Sequence, residues 1–345
     1  MRIKLKFNFY RFSDYFLIIL LNCIFIQCKE SKEIKPEWAI AIHGGAGAIR
    51  KSMMTIEKDS LYRAALSEAL VIGEKILQDG GSSLDAVEKV IVYLEDCPLF
   101  NAGRGAVFSH DEKNELDASI MDGSDLKAGA VGSVTIVKNP IRLARAVMEK
   151  STHVFLVSKG AEQFAIEQGI DTVSPSWFYT QERWDALQNA KMSLKNDTSE
   201  QKKKLDTTKF GTVGCVALDK NGNLSAGTST GGMTNKKWNR IGDSPIIGAG
   251  TYADNSCCAV SCTGHGEYFI RYAVAHDLYA LMNYSKLSLE EASNLIIHKK
   301  LKEAGGEGGL IAVDKKGNIV MPFNTEGMYR ASSKAGNREI KIYRE

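Results

Sequence analysis

The chain has 345 residues, enough for one large domain or two, and its 44% hydrophobic and 25% charged residues are ordinary for a globular protein. Its formal net charge of +3 arises in the first 27 residues, which hold four Lys or Arg and one acid. Of the total 44 basic and 41 acidic residues, 40 of each remain. A balanced body without a basic patch argues against nucleic acid as a partner.

The N-terminal segment has the features of an export signal. Four basic residues precede an almost wholly apolar run at residues 15–26, which is too short to span a bilayer. The run ends at Gln27-Cys28 and resembles a loose bacterial lipoprotein box, although a small residue is usual where Gln27 stands. We expect residues 1–28 to be a signal peptide of lipoprotein type, with a lipid on Cys28. The protein would be periplasmic or membrane-anchored; cleavage by ordinary signal peptidase and a retained anchor stay open.

The cysteines do not predict a disulfide framework or a metal site. Two of the seven lie in the leader, and the other five are odd in number and irregularly spaced. Such residues are usually buried thiols. No CxxC pair or HExxH motif is present, so a zinc site is not expected.

The first predicted strand covers residues 38–42 and runs into a glycine turn at residues 43–48. The glycine spacing fits neither GxGxxG nor a P-loop, so nucleotide binding is not expected. His43 is as compatible with a hydrogen-bonded core residue as with a catalyst. A helix is predicted over residues 57–78, and a second begins at Ser82 or Ser83 and stops near residue 97.

The rest of the first half alternates strands and helices. Residues 94–108 form a loop rich in glycine, proline and aromatic residues, a composition often found beside sites. The pattern then predicts, in order, a strand and turn at 116–123, a strand at 130–137, a helix at 140–150, a strand at 154–157 and a helix at 161–168. Past Trp184 the apolar periodicity fades, and residues 196–204 are polar and end in three lysines.

The second half begins with Gly211-Thr212 and is dominated by hairpins. Strands at 213–219 and 224–229 flank an Asn-Gly turn, and residues 310–320 repeat the design. Two helices are predicted at 267–283 and 288–303. Hairpins together with helices in both halves predict stacked sheets with helices outside.

The bond between Gly211 and Thr212 lies where a polar lead enters a strand, as a self-cleaving precursor would require. Cleavage there would give Thr212 a free α-amine beside its hydroxyl. A terminal amine is one of the few means of activating a hydroxyl without a histidine partner. We therefore interpret Thr212 as a candidate nucleophile.

Five motifs in order resemble those of the plant-type asparaginase and isoaspartyl peptidase family of N-terminal-nucleophile hydrolases. The resemblance runs from about Glu37 to the C-terminus. The motifs are Ile42-His43-Gly44-Gly45-Ala46-Gly47, Gly211-Thr212-Val213-Gly214, Ser229-Thr230-Gly231-Gly232-Met233, Arg240-Ile241-Gly242-Asp243-Ser244-Pro245 and Cys262-Thr263-Gly264-His265-Gly266-Glu267.

This resemblance implies an α/β fold, a four-layer αββα sandwich made as one precursor that cleaves itself. The α chain would comprise residues 29–211, with a mobile linker at about 190–209, and the β chain residues 212–345. The two would form one composite domain and pair into an (αβ)2 assembly. Gly211 suits the cleavage site, since glycine can hold a strained backbone geometry.

The resemblance also implies roles for individual residues. Thr212 would be nucleophile and base, and Thr230 would hydrogen-bond near it. The Thr263 hydroxyl and the Gly264 N–H would stabilise the oxyanion. Arg240 would bind a substrate α-carboxylate and Asp243 its α-ammonium, with Gly266 and Asn101 as lesser contributors. His265 would line the pocket without a catalytic role.

No cofactor is implied for catalysis, but a structural Na⁺ is. Hard cations prefer oxygen ligands, and the family holds the ion with backbone carbonyls. The corresponding residues here would be Leu94, Glu95, Cys97, Phe100 and Ala102.

The expected reaction is hydrolysis of β-aspartyl (isoaspartyl) dipeptides and of the side-chain amide of L-asparagine, which releases L-aspartate. One alternative is a glycosylasparaginase acting on glycan-linked asparagine, although that relative commonly has Asp where Gly211 stands. Another is a catalytically dead surface lipoprotein that binds peptides, against which the intact set of site residues argues.

Overall fold

The computed structural model describes residues 37–195 and 211–344; the predicted leader with Cys28 and the lysine-rich residues 196–209 lie outside them. The strands are β1 (Ala39–Gly47), β2 (Leu116–Asp122), β3 (Ala128–Val134), β4 (Phe155–Val157), β5 (Val213–Leu218), β6 (Leu224–Thr230), β7 (Thr251–Ala253), β8 (Cys258–Gly264), β9 (Gly308–Asp314), β10 (Ile319–Val320), β11 (Gly327–Lys334) and β12 (Asn337–Tyr343). The helices are α1 (Ile56–Gln78), α2 (Ser83–Asp96), α3 (Pro140–Lys150), α4 (Ser158–Glu167), α5 (Gln181–Lys195), α6 (Gly266–Arg271), α7 (Val274–Asn283), α8 (Leu289–Asn294) and α9 (Lys302–Ala304), with a π-helical segment (Leu295–Leu301) between the last two.

The strands of the described residues form two facing sheets. The first has the order β12-β11-β1-β5-β6-β2-β3-β4 and the second the order β10-β9-β8-β7. Strands β1, β5 and β6 of the first sheet contact β8 and β9 of the second. The layer between them is filled mainly by small and β-branched side chains, among them Ala41, Val216, Ala226, Ile311 and Val313.

Helices cover the outer face of each sheet. Helices α1, α2 and α3 pack on the eight-stranded sheet, where Leu66, Ile91 and Ile141 are fully buried. Helices α7 and α8 pack on the four-stranded sheet around Phe269, Leu278 and Ile296. The described residues thus form a mixed α/β fold in which two sheets contact each other and helices pack on both.

Local sequence explains where the first two helices begin. Thr55 accepts a hydrogen bond from the Lys58 N–H at the start of α1, and Ser82 accepts one from Asp85 N–H at the start of α2. These hydroxyls satisfy N–H groups that lack partners in the first turn. The predicted start of the second helix at Ser82 or Ser83 is confirmed.

Three elements differ from the sequence prediction. Strand β1 continues through the predicted glycine turn to Gly47, with a bulge between His43 and Gly45. Helix α5, which was not predicted, runs to Lys195 and so includes the first residues of the predicted linker at about 190–209. The predicted helix at 267–283 is broken at Ala273, which is left-handed with φ 46°, because the N–H groups of Ala275 and His276 bond the Ala249 and Gly248 carbonyls instead.

The C-terminal hairpin β11–β12 was not predicted as strands, although β11 completes the sheet beside β1. Within residues 37–195 and 211–344, no helix has the length and apolar character needed to cross a bilayer.

Candidate active site

The bond between Gly211 and Thr212 lies at the entrance to β5, and its carbonyl oxygen is surrounded by donors. Thr212 Oγ1 lies 2.7 Å from the Gly211 oxygen. The same oxygen accepts hydrogen bonds from Asn101 Nδ2 at 2.8 Å and from Thr230 Oγ1 at 3.1 Å. Thr212 Oγ1 and Thr230 Oγ1 are 3.1 Å apart. The structure thus brings the predicted nucleophile, the second threonine and Asn101 onto one carbonyl.

The turn after β6 holds Thr230 and Asn101 in place. Gly232 N–H donates to Thr230 Oγ1 at 3.0 Å, and the Gly232 carbonyl accepts from Asn101 Nδ2 at 2.8 Å. Asn101 Oδ1 accepts from Val107 N–H at 2.9 Å. With both ends of its amide engaged, Asn101 presents a fixed donor to the Gly211 carbonyl.

The space around position 211 favours glycine. A Cβ at this position would lie 2.9 Å from Asn101 Cβ. Strand β1 approaches from the other side, where a Cβ on Gly45 would lie 2.7 Å from Gly211 Cα. Both glycines therefore permit close approach to the bond.

Thr263 and Gly264 end β8 and are tied to the same part of β1. Thr263 is fully buried, and its Oγ1 accepts a hydrogen bond from Ala46 N–H at 3.2 Å. Because that backbone N–H donates to the oxygen, the hydroxyl hydrogen of Thr263 is available to a different acceptor. Strand β1 thus contacts Thr263 through Ala46 and approaches the bond between Gly211 and Thr212 at Gly45.

The predicted substrate-binding residues meet around Gly266. A Cβ at Gly266 would lie 2.7 Å from Arg240 Nη2 and 3.0 Å from Asp243 Oδ1. Arg240 does not pair with Asp243 in the way a simple neighbouring ion pair would suggest. Its Nε and Nη2 instead donate to the two carboxylate oxygens of Glu267, each at 2.9 Å.

Asp243 carries a buried carboxyl group, one oxygen of which accepts no hydrogen bond from the described residues. The residue is 4% exposed, and Oδ2 has no hydrogen-bond partner among the described residues. Burial raises the pKa of Asp243 to about 7, although the nearby Arg240 charge opposes the shift. A buried carboxylate of this kind is stabilised by an incoming cation.

Glu267 is the residue that sequence reasoning missed. The hydrogen bond from His265, whose Nε2 lies 3.2 Å from Glu267 Oε2, and those from Arg240 hold the pKa of this carboxyl well below its usual range. Its position inside the motif at residues 262–267 was the available signal. His265 thus contacts Glu267, the carboxylate that also accepts from the Arg240 guanidinium.

His43 lies in the core beneath the nucleophile. Its Nδ1 is 3.0 Å from the Thr212 carbonyl oxygen and its Nε2 is 3.0 Å from Ser261 Oγ. Burial lowers the pKa of His43 to about 3, so the imidazole is neutral at pH 7. Of the two interpretations of His43, the structure supports the hydrogen-bonded core residue.

The loop from Leu94 to Phe108 presents backbone oxygens to glycines. A Cβ on Gly103 would lie 2.4 Å from the Glu95 oxygen, and one on Gly105 would lie 2.0 Å from the Phe100 oxygen. The described residues contain no cluster of three or more His, Cys, Asp or Glu that could hold a metal. Backbone carbonyl oxygens are hard donors, which suit an alkali cation better than a transition metal.

The chain matches one protein family over nearly all of the described residues. The profile described as asparaginase (Asparaginase_2) matches residues 36–342. The isoaspartyl peptidase of Escherichia coli (strain K12) is 52% identical over 308 residues, which cover 89% of this chain and 96% of that protein. The isoaspartyl peptidase/L-asparaginase of Homo sapiens is 42% identical over 304 residues, covering 88% and 95%. That of Xenopus laevis is 41% identical over 310 residues, covering 90% and 96%.

Proposed function

The chain belongs to the asparaginase family, and from this premise we propose an autoprocessed threonine hydrolase that cleaves β-aspartyl dipeptides and the side-chain amide of L-asparagine. One observation carries the proposal. The Thr212 hydroxyl lies 2.7 Å from the Gly211 oxygen, and two further side chains donate to that oxygen. The helix–sheet–sheet–helix contacts support the four-layer sandwich of N-terminal-nucleophile hydrolases.

The first reaction of this proposal is self-cleavage. Thr212 Oγ attacks the Gly211 carbonyl carbon, and charge develops on the oxygen that Asn101 and Thr230 already contact. Preorganised donors of this kind typically contribute about 10²–10³ in rate each. The C–N bond breaks, the nitrogen takes a proton, and an ester joins Gly211 to Thr212 Oγ. Water hydrolyses the ester, leaving a Gly211 carboxylate and a free Thr212 amine.

The second reaction is turnover. The neutral Thr212 amine, with an ordinary α-amino pKa of about 7.7–8.0, takes the proton from Thr212 Oγ as it attacks the substrate carbonyl. The Thr263 hydroxyl and Gly264 N–H stabilise the oxyanion. Ammonia or an amino acid leaves with a proton, and water then releases L-aspartate from the acyl-enzyme.

Charge places the substrate in this site. The unpaired Asp243 Oδ2 is suited to the α-ammonium group. Arg240 is suited to the α-carboxylate, because a guanidinium matches a carboxylate as a fork. Two of its nitrogens already contact Glu267, so the substrate would share the guanidinium with that residue.

Self-cleavage is tested on a denaturing gel with mass spectrometry. Wild-type protein should give two bands, and the new N-terminus should be Thr212. Thr212→Ala should remain one band. A wild-type chain that stays intact after long incubation would rule out this mechanism.

The substrate class is tested by comparing β-Asp-Leu, L-asparagine and glycan-linked asparagine on the processed enzyme. We expect the first two to be hydrolysed and to release L-aspartate. A substantially higher kcat/KM on the glycan substrate would instead indicate a glycosylasparaginase. Binding of the dipeptide without any turnover would indicate a peptide-binding protein.

We also propose that carbonyls of Leu94, Glu95, Cys97, Phe100 and Ala102 hold a structural Na⁺. The Cys97 and Ala102 oxygens each accept one backbone hydrogen bond, from Phe100 and Gly105, which leaves a second lone pair on each. Such an ion would stiffen the loop that carries Asn101. Exchanging Na⁺ for choline should lower Tm; an unchanged Tm would argue against the ion.

Export, a lipid on Cys28 and an (αβ)2 assembly remain proposals that rest on the sequence and the family. Mass spectrometry of the membrane fraction tests the lipid, since an unmodified Cys28 or a chain lacking it would contradict acylation. Light scattering of the processed protein tests the assembly.

A further inference from the structure

A network of buried, hydrogen-bonded side chains, called the buried network below, runs between the two sheets from Thr212, the proposed nucleophile, to the loop that carries Asp243. It starts at the Thr212 carbonyl with His43, whose Nε2 lies 3.0 Å from Ser261 Oγ. Ser261 Oγ is 2.7 Å from Thr228 Oγ1, which is 2.6 Å from Thr251 Oγ1. Ser119 Oγ lies 2.8 Å from Thr251 Oγ1 and 2.6 Å from the Ser244 carbonyl. The six residues along this path are each at most 1% exposed: His43, Ser261, Thr228, Thr251, Ser119 and Ser244.

The acceptor at one end sets the direction of these hydrogen bonds. A carbonyl oxygen only accepts, so His43 Nδ1 must carry the imidazole hydrogen that faces Thr212. A neutral ring then accepts at Nε2 from Ser261. Each hydroxyl has one hydrogen, so Thr228 donates to Ser261 and Thr251 donates to Thr228.

The fixed direction of the hydrogen bonds ends at Ser119, at the other end of the buried network. Ser119 has one hydrogen for two acceptors, Thr251 Oγ1 and the Ser244 oxygen. The Gly250 oxygen, 3.1 Å from Thr228 Oγ1, is a longer alternative acceptor. From Thr251 to Thr212 the bonds all point the same way, and bonds in such a series polarise one another.

Strand β5 leaves space for the buried network beside Thr212. A Cβ on Gly214 would lie 2.0 Å from Ser261 Oγ and 2.3 Å from His43 Nε2. Glycine at position 214 is thus required by the contact between His43 and Ser261. At the far end, Ser244 is next to Asp243 in the sequence. The buried network therefore connects Thr212 with the loop that carries Asp243.

We propose that His43 and Ser261 are positioning residues for the hydrolysis. The hydroxyls fix the Nδ1–H tautomer of His43, and His43 fixes the carbonyl of Thr212. The amine and hydroxyl of Thr212 are thereby held at one distance from the loop that carries Asp243. The inference rests on the proposed function, but the tautomer can be measured without it.

Kinetics of hydroxyl-deleting variants test the proposal. Ser261→Ala and Thr228→Val should lower kcat on β-Asp-Leu by about 10²-fold, as expected for a small misplacement of a reacting group. Thr228→Ser keeps the hydroxyl and should stay within about tenfold of wild type. Ser333→Ala is the matched control, because Ser333 is fully buried but its hydroxyl has no partner among the described residues.

Two results would overturn the assignment. One is a Thr228→Val enzyme as active as Thr228→Ser; the other is Ser261→Ala with the kcat of Ser333→Ala. If a folded variant remains uncleaved, its slowed self-cleavage relative to Ser333→Ala counts in favour, since Thr212 attacks in both reactions. Thermal melts identify variants that fail to fold.

Nitrogen-15 NMR of histidine-labelled wild type gives an independent readout. The His43 signal, assigned by its loss in His43→Asn, should show a neutral ring with hydrogen on Nδ1 at pH 7. Hydrogen on Nε2 alone, or on both nitrogens, would contradict the bond order. If the wild type hydrolyses no β-aspartyl dipeptide, the proposed function fails. The NMR measurement still shows whether the hydrogen bonds of the buried network have the inferred direction.

Discussion

At the scale of single residues, the site is built from one buried acid and one guanidinium whose charges are only partly compensated. Arg240 is held by both oxygens of Glu267. Oδ2 of Asp243 has no such partner among the described residues, and burial raises the pKa of Asp243 to about 7 against an ordinary value of 3.8. This carboxyl group is therefore the one we propose to pair with the α-ammonium of a substrate.

The raised pKa of Asp243 predicts a pH dependence of binding. Below about pH 7 the carboxyl of the free enzyme is protonated and loses its attraction for an ammonium group, so kcat/KM should fall as the pH drops through 7. Asp243→Asn should raise KM by at least about 30-fold, equivalent to about 2 kcal/mol for losing one member of a buried charge pair. Asp125→Asn, an exposed acid, is the control. A KM within threefold of wild type would contradict this role.

The same group predicts a pH dependence of stability. Its pKa is raised on folding, so its contribution to the free energy of unfolding is fully present below about pH 4 and is lost as the pH rises towards 7. Asp243→Asn cannot ionise. Its Tm relative to wild type should therefore increase from pH 4 to pH 8. A constant difference across that range would show that Asp243 ionises freely in the folded protein.

The sequence could suggest which residues meet but not how they pair. Thr212, Thr230, Thr263, Arg240 and Asp243 were all candidates. In the structure Thr212 and Thr230 contact the Gly211 carbonyl, and Arg240 and Asp243 lie beside Gly266. The contact of Arg240 with Glu267 depends on how α6 leaves β8, which no local pattern encodes. The role of His43 was undecided for the same reason, because Ser261 lies 218 positions away in the chain.

At the scale of elements, strand β1 does more than the sequence indicated. Its pairing with β11 carries it through the glycines, since backbone hydrogen bonds do not depend on side chains. Gly45 sits after the bulge with φ 107°, a conformation that favours glycine. The bulge brings this backbone against the bond between Gly211 and Thr212.

Gly45→Ala should slow self-cleavage by about 10²-fold, because the new Cβ would lie 2.7 Å from Gly211 Cα and 3.0 Å from Thr212 N. Gly160→Ala is the matched control: a Cβ at this exposed position in α4 would contact nothing within 4 Å. The appearance of the two chains on a timed gel is the measurement. Cleavage of both variants at the wild-type rate would mean that β1 does not shape the scissile bond.

Helix α5 shows why some elements escaped prediction. Its sequence is polar, with only Leu187 fully buried. The helix is anchored instead by Trp184, which packs edge-on against Phe108 with ring centroids 5.4 Å apart. Long, amphipathic segments such as α1 were predictable from their own residues, whereas α5, β11 and β12 depend on partners distant in the sequence.

At the scale of the whole described fold, the proposed cleavage point between Gly211 and Thr212 lies between strands that are interleaved in one sheet. Strand β1, before the bond, pairs with β5 and β11, which follow it. Strand β2 pairs with β6 across the same boundary. The two products of the proposed cleavage would therefore share one sheet.

We expect the cleaved chains to elute together in gel filtration and to separate only in denaturant. Both should unfold in a single transition, since neither retains a complete sheet alone. The intact Thr212→Ala protein is the control for elution volume. Release of either chain under native conditions would be inconsistent with the interleaved pairing.

The interleaved sheet would also make the proposed cleavage a one-way step in the history of each molecule. The uncut chain folds in a first-order reaction, with both halves tethered at high effective concentration. Once cut and unfolded, the halves must find each other by diffusion, so recovery becomes second order and slows on dilution. The mature enzyme would then persist through its slow unfolding rather than through its ability to refold.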